Sequence, residues 1–188
     1  HAPLVYEGRH IPVASLGAAA AERTITVTAT SKAFNTAGLK CAQIIFSNTA
    51  DVHTWNGLTG VAKDGTGTLG VLAAETAYRK CGDFLDEEIA YLRQTRDWLV
   101  EELPQRIPGL KTSKPDATYL LWLDFADTAI GGNPQPAKWL RENAKVALNE
   151  GDTFGTGGPG HARLNFSTSR EILEEALDRM ERAFAALD

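Results

Sequence analysis

Residues 28–39 read TATSKAFNTAGL, with one lysine, Lys32, set among small and hydroxylated residues. The stretch opens inside a strand pattern, because Ile25, Val27 and Ala29 alternate with threonines across TITVTAT. It closes on Asn35 and Gly38, which suit a turn or a helix entry. A second apolar run of strand length, CAQIIFSN, follows at once. Lysine after a strand is most often a solvated surface group. An amine held partly buried is disfavoured in its charged form, and a neutral amine is a nucleophile that condenses with carbonyls. Thr28, Thr30 and Ser31 offer hydroxyl donors for a phosphate, and Lys40 adds a point charge. Spacing alone favours the surface reading of Lys32 over the catalytic one.

From about Thr68 the apolar period becomes helical. LGVLAAETAYRK reads as a mostly buried helix, and Gly82 then punctuates the chain. Asp83 and Asp86 resemble a capping box built with the shorter acid. Leu85, Ile89, Leu92, Leu99 and Leu103 form the stripe of the next helix, which Pro104 is expected to end or kink. TYLLWLDF is a buried strand, and NPQPAKWLRENAK a helix with proline at its start. VALNEGDTFGTGGPGHARLNFS predicts two short strands around a glycine-rich loop. Within it, Arg163 and Asn165 share one face and Leu164 and Phe166 the other. Thr168 with Glu171 predicts a capping box for a final helix carrying Leu173, Leu177, Met180, Phe184 and Leu187. The order is a strand-rich start followed by a small α+β unit, with a soft boundary near residues 80–90.

Composition narrows the function classes. The 188 residues are 43% hydrophobic and 23% charged, with a formal net charge of -5. No run of Lys or Arg stands out, which argues against a nucleic-acid surface. No apolar stretch reaches the roughly 18 residues of a membrane span. VASLGAAAA is short and is followed by Glu22 and Arg23. Cys41 and Cys81 lack CxxC spacing and read as two free thiols rather than a metal site or a disulfide.

Arg163 is the second candidate for chemistry. A planar guanidinium binds a carboxylate through two donors, and a strand beside a glycine loop is a good mounting for it. A structural salt bridge is the plainer alternative. GTGGPG lacks the context of a phosphate-binding motif and reads as a mobile loop beside the site. No two of the four histidines stand at ligand spacing, and His53 and His161 read as loop residues. Trp98, Trp122 and Trp139 read as core, while Tyr119 leads a strand and could aim its hydroxyl into a cleft.

Several blocks in order carry a resemblance. TATSKAFNTAGLKCAQ resembles the lysine segment of fold-type I pyridoxal-phosphate (PLP) enzymes, the aminotransferase class I/II superfamily. It is most similar to the cystathionine β-lyase-like, or C–S lyase, branch. HAPLVYEGRHIPVASL, AETAYRKCGDFLDEEIAYLRQTRDWL, DATYLLWLDF and FGTGGPGHARLNFS resemble other blocks of that family in the same order. The resemblance places Lys32 on the cofactor-carrying lysine and Arg163 on the arginine that binds the substrate α-carboxylate. Lys40 falls on a basic ligand of the cofactor phosphate. His1 falls near the pyridine ring, where many members carry a tyrosine. Ala29 departs from the pattern, since the family commonly has Ser or Thr there, and Thr28, Thr30 and Ser31 stand beside it.

The resemblance implies an α/β fold: residues 1–86 as the C-terminal portion of the PLP-binding large domain and 87–188 as an α+β C-terminal small domain. It covers the C-terminal half of a family member, and the chain opens on HAPLVYEG without an initiator methionine, so a missing N-terminal half is expected. It further implies PLP as cofactor, an amino-acid substrate, a cytoplasmic homodimer and β-elimination giving thiol, pyruvate and ammonia. An aminotransferase acting on a 2-oxo acid is the alternative. A truncated chain that binds no PLP is another.

Overall fold

A computed structural model describes residues 1–187, and the chain divides into two units, His1–Glu88 and Ile89 onward. In the first, a short helix α1 (Ala18–Ala21) leads into strand β1 (Ile25–Thr28), which pairs antiparallel with β2 (Gln43–Phe46). The register sets Ile25 opposite Phe46 and Thr28 opposite Gln43. Strand β1 therefore stops at Thr28, and Lys32 lies in the turn beyond it rather than on the strand.

Two short helices follow that residue patterning had not suggested, α2 (Thr49–Asn56) and α3 (Gly60–Lys63). The signal for α2 was present: the Asn48 side chain accepts the Asp51 N–H at 2.8 Å, an N-cap. His53 lies in this helix and not in a loop. Helix α4 (Thr68–Lys80) buries Gly70, Ala74 and Ala77, one stripe of small residues. A Cβ on Gly70 would stand 2.4 Å from the Leu39 carbonyl oxygen, so that stripe packs against backbone. The large residues point elsewhere, with Leu69 71% and Leu72 59% exposed. The expectation of a mostly buried helix is corrected accordingly: the small face is the covered one. Cys41 and Cys81 are free thiols.

Helix α5 (Gly82–Arg106) contains Pro104 and ends two residues after it, as expected of a residue with no amide hydrogen to continue the ladder. Asp83 is inside the first turn rather than at the cap, so the box with Asp86 does not form as drawn from the sequence. Half-buried Glu88 on this helix has a carboxyl oxygen shielded from water with no partner, and burial raises its pKa. A raised folded pKa means the folded state holds the proton to higher pH than the unfolded chain. Stability is then lost as pH rises through the carboxylate range. Glu88→Gln is expected to raise the urea midpoint at pH 7 and to leave it unchanged at pH 3, measured on both variants by circular dichroism.

The second unit is built on a four-stranded antiparallel sheet in the order β3-β4-β6-β5. The strands are β3 (Lys111–Thr112), β4 (Leu120–Asp124), β5 (Asn149–Glu150) and β6 (His161–Asn165). Helices α6 (Pro136–Asn143) and α7 (Arg170–Ala185) complete it. Period-two alternation decides which sheet face is wet. Leu121, Leu123, Ala162 and Leu164 are buried with Leu92, Leu99 and Leu103 of α5 and Leu173, Leu177, Met180 and Phe184 of α7. Each such leucine contributes roughly 1.5–3 kcal/mol by burial. The opposite face carries Trp122, Asp124, His161, Arg163 and Asn165.

Two details of α7 differ from the sequence reading. Ser169, not Thr168, is the N-cap residue, because Ser169 is the last extended residue at φ -69 and ψ 155. The Glu171 carboxyl is held below its usual range by its own backbone N–H and by the Ser169 hydroxyl. Leu187 lies beyond the last turn and is 48% exposed, outside the apolar stripe. Arg96 is only 1% exposed, yet it donates to the Pro115 carbonyl at 2.9 Å and pairs with Asp97 at 2.8 Å, so its charge is compensated.

Candidate functional site

The candidate residues fall in both units: His1, Thr28, Thr30, Ser31, Lys32 and Lys40 in the first, Tyr119 and Arg163 in the second. After β1 the chain makes a turn closed by the Phe34 N–H donating to the Thr30 carbonyl at 3.0 Å. Ala33 is 1% exposed and Thr30 2%, and these two anchor the turn. The Thr30 and Thr36 hydroxyls share a hydrogen bond of 2.8 Å. Phe34 stacks at 6.4 Å from Phe84 and meets Tyr78 edge-on at 6.1 Å. Lys32 projects between these anchors and is exposed. The exposed Lys32 agrees with the plain reading of a lysine after a strand, and burial falls on its neighbours.

The rest of the segment carries hydroxyls and cations. Thr28 and Ser31 are half-buried, and Lys40 is exposed at the end of a 3-10 turn with φ 50. No Asp or Glu occurs between Glu22 and Asp51, whereas Arg23, Lys32 and Lys40 all lie within that interval. A stretch of one charge sign with several hydroxyls suits a phosphorylated ligand. His1 is exposed, and its carbonyl accepts the Leu4 N–H at 2.9 Å.

In the second unit the sheet register assembles the surroundings of Arg163. Trp122 is its partner on β4 and Asn149 its partner on β5. Directly opposite residues share a face, so all three lie on the wet side. Arg163 Nη2 donates to Asn149 Oδ1 at 3.1 Å, and the guanidinium carbon lies 4.4 Å from the centre of the Phe154 ring. Phe154 meets Trp122 edge-on at 5.6 Å, and Trp122 stacks on His161 at 5.5 Å. His161 Nδ1 donates to the Pro159 carbonyl at 3.1 Å, which turns Nε2 toward Asp124 Oδ1 at 3.8 Å. Arg163 Nε is shielded from water and has no hydrogen-bond partner.

Several sequence expectations change here. His161 opens a strand instead of lying in a loop, and Trp122 lines the wet sheet face instead of the core. GTGGPG is tied down rather than free: Gly158 N–H donates to Gly155, His161 to Gly158, and Gly160 to Pro134. Trp98 is half-buried under the Arg170 guanidinium at 3.4 Å. Tyr119 is half-buried, with its carbonyl accepting the Phe166 N–H at 2.9 Å. Asn149 and Phe154 escaped the sequence reading altogether. The alternation that put Arg163 on one face could have pointed to a partner on a neighbouring strand, but a two-residue strand has too little pattern to show it.

Known proteins give this geometry a context. The model of the family "Aminotransferase class I and II" matches residues 1–180. A cystathionine beta-lyase of Corynebacterium glutamicum is 54% identical over 180 residues, covering 96% of this chain and 48% of that protein. A solved structure assigned as a PLP-dependent beta-cystathionase of Corynebacterium diphtheriae superposes with a TM-score of 0.94 at 54% identity, over 98% of this chain and 48% of that one. Cystalysin from Treponema denticola, solved with pyridoxal 5'-phosphate, gives 0.88 at 28% identity over 100% of this chain and 48% of its own. The chain thus spans about half the length of the relatives it matches. Among the described residues no helix is long and apolar enough to cross a membrane. With the match running from His1 through residue 180, the chain belongs to the aminotransferase class I and II family.

Proposed function

We propose that this chain supplies the lysine and the carboxylate-binding arginine of a PLP-dependent enzyme that eliminates sulfur from the β-carbon of an amino acid, as in a cystathionine β-lyase. Residues 1–86 are read as the C-terminal portion of its large domain and 87–188 as its small domain, within a cytoplasmic homodimer. The observation that carries the reading is Arg163: a guanidinium with a water-shielded, unpaired Nε on the wet face of a sheet. A buried donor left unpaired costs about 1–3 kcal/mol, which a ligand oxygen would offset.

The residues of the first unit fit the cofactor. Its phosphate is dianionic, and the segment from Arg23 to Lys40 offers hydroxyls and cations without a carboxylate. Thr28, Thr30, Ser31 and Lys40 would hold the phosphate, His1 would lie near the ring, and Lys32 Nζ would bond the aldehyde carbon. PLP, when bound, draws off the electron pair left at the substrate α-carbon. Arg163 orients the substrate by its α-carboxylate, with Tyr119 as a further contact. Lys32 Nζ, released from the aldehyde carbon when the substrate amine takes its place there, would remove the α-proton as general base. A thiolate leaves from Cβ, and hydrolysis of the remaining fragment gives pyruvate and ammonia.

Transamination uses the same lysine and arginine, and the family's own name favours it as the second reading. For the intact enzyme with PLP supplied, release of thiol and pyruvate from L-cystathionine in the absence of any 2-oxo acid is the expected result. Turnover that depends strictly on a 2-oxo acid would overturn the lyase in favour of the aminotransferase.

A further inference from the structure

We infer that Asn149 and Phe154 are positioning residues that fix the plane of the Arg163 guanidinium, and that the glycine-rich segment serves to deliver Phe154 to it. The inference rests on the reading of Arg163 as a carboxylate site. An arginine has a long flexible stem and loses considerable rotamer freedom when it is held for two-point binding. Here two side chains bear that cost before any ligand arrives.

Asn149 acts in the plane. It is the cross-strand neighbour of Arg163, and its Oδ1 takes one hydrogen of Nη2 at 3.1 Å. The second Nη2 hydrogen and the Nη1 hydrogens are then left as donors for a carboxylate. Phe154 acts from above. Its ring centre is 4.4 Å from the guanidinium carbon, within cation–π range, and Trp122 supports the ring edge-on at 5.6 Å. His161, stacked on Trp122 and anchored to the Pro159 carbonyl, supports the wall from the other side. Asn149 thus opposes rotation in the plane and Phe154 opposes tilt out of it.

Phe154 itself is 48% exposed, so burial does not hold it in place. The backbone does. Phe154 ends a 3-10 turn (Gly151–Phe154) that starts directly after β5. Gly151 and Gly158 cross so closely that a Cβ on Gly158 would stand 2.0 Å from the Gly151 carbonyl oxygen. A Cβ on Gly151 would in turn stand 2.3 Å from the Gly158 oxygen. This seam returns the chain over the sheet and sets Phe154 above Arg163.

The test uses the full chain labelled with nitrogen-15 and follows the Arg163 Nε–H resonance, assigned by its absence in Arg163→Lys, together with the backbone amides of β5 and β6, which report propionate binding in every variant. Propionate is the probe and propionamide the neutral control. The expected result is a saturable shift with propionate only. Phe154→Leu should weaken it about tenfold, since a partly desolvated cation–π contact is of that order. Asn149→Ala should weaken it several-fold, and Phe154→Tyr should restore it. Asn149 and Phe154 are both exposed, so loss of either should leave the remaining amide spectrum in place. If Phe154→Leu and Asn149→Ala both leave the affinity unchanged while Arg163→Lys abolishes binding, the positioning inference falls and the carboxylate reading stands. If Arg163→Lys binds propionate as well as the parent chain, both fall.

Discussion

Lys32→Ala removes site-specific capture of PLP by this chain. In the parent protein, a single equivalent of PLP followed by borohydride reduction is expected to fix one pyridoxyl group, and peptide mapping to place it on Lys32. Several other lysines, Lys63 and Lys138 among them, are also exposed and react reversibly with aldehydes. What sets Lys32 apart is its setting. It lies between Arg23 and Lys40 in an interval without a carboxylate, next to the half-buried hydroxyls of Thr28 and Ser31. Attraction of the phosphate raises the local concentration of the aldehyde at Nζ, an effect that proximity can amplify by several orders of magnitude. Pyridoxal without its phosphate should therefore show far less preference for Lys32. Lys40→Ala should retain the site of modification and lower its yield. An adduct spread evenly over the exposed lysines of the parent chain would remove the cofactor role from Lys32.

The same segment shows how far the sequence could be read. Alternating threonines located β1, and Asn35 with Gly38 located the turn region, since both are local signals that need no partner. The exposure of Lys32 is what a lysine after a strand most often shows, but what enforces it was not local. It depends on Ala33 and Thr30 turning inward and on what packs beside them, and no spacing rule reports that. Helix α4 makes the point from the other side. Its many apolar residues suggested burial, yet Gly70, Ala74 and Ala77 make the covered stripe while Leu69 and Leu72 stay exposed. Composition counts apolar residues, whereas packing selects the face that backbone can approach.

In the second unit the legible parts were the long ones. The alternation in ARLNF set Arg163 on the face opposite Leu164 and Phe166, and the apolar stripe placed Leu173, Leu177, Met180 and Phe184, whereas TYLLWLDF read as buried and hid the wet side of Trp122. The partners of Arg163 were not legible. Asn149 lies 14 residues away and reaches Arg163 only through strand register. Phe154 reaches it through a glycine crossing. Colinear resemblance supplied Arg163 itself, but not the residues that hold it, because those follow from three-dimensional closure and not from a motif.

The glycine crossing also carries the largest expected loss of stability. Gly158 has an ordinary negative backbone angle, so alanine there would be welcome on conformational grounds, by about 0.4–1 kcal/mol. Sterics decide otherwise. The added Cβ would meet the Gly151 oxygen at 2.0 Å and its carbon at 2.6 Å, both backbone atoms that no rotamer change can move. Opening the seam breaks the hydrogen bond from Gly158 to Gly155 and strains the one from His161 to Gly158. Gly158→Ala is therefore expected to cost about 2–4 kcal/mol, at the upper end of overpacking. In a chain of this length that is a fall in Tm on the order of 5–12 °C. Gly155→Ala is the control. Gly155 has φ 99 and ψ -155, a region essentially reserved for glycine, with open space around its Cβ position, so its cost is backbone strain alone, about 1–3 kcal/mol. Both variants lose a glycine from one loop, and only Gly158→Ala displaces Phe154. The Arg163 Nε–H resonance should then move in Gly158→Ala and stay in Gly155→Ala. Equal thermal losses with an unmoved resonance would mean that the crossing fixes the loop and leaves the arginine to fend for itself.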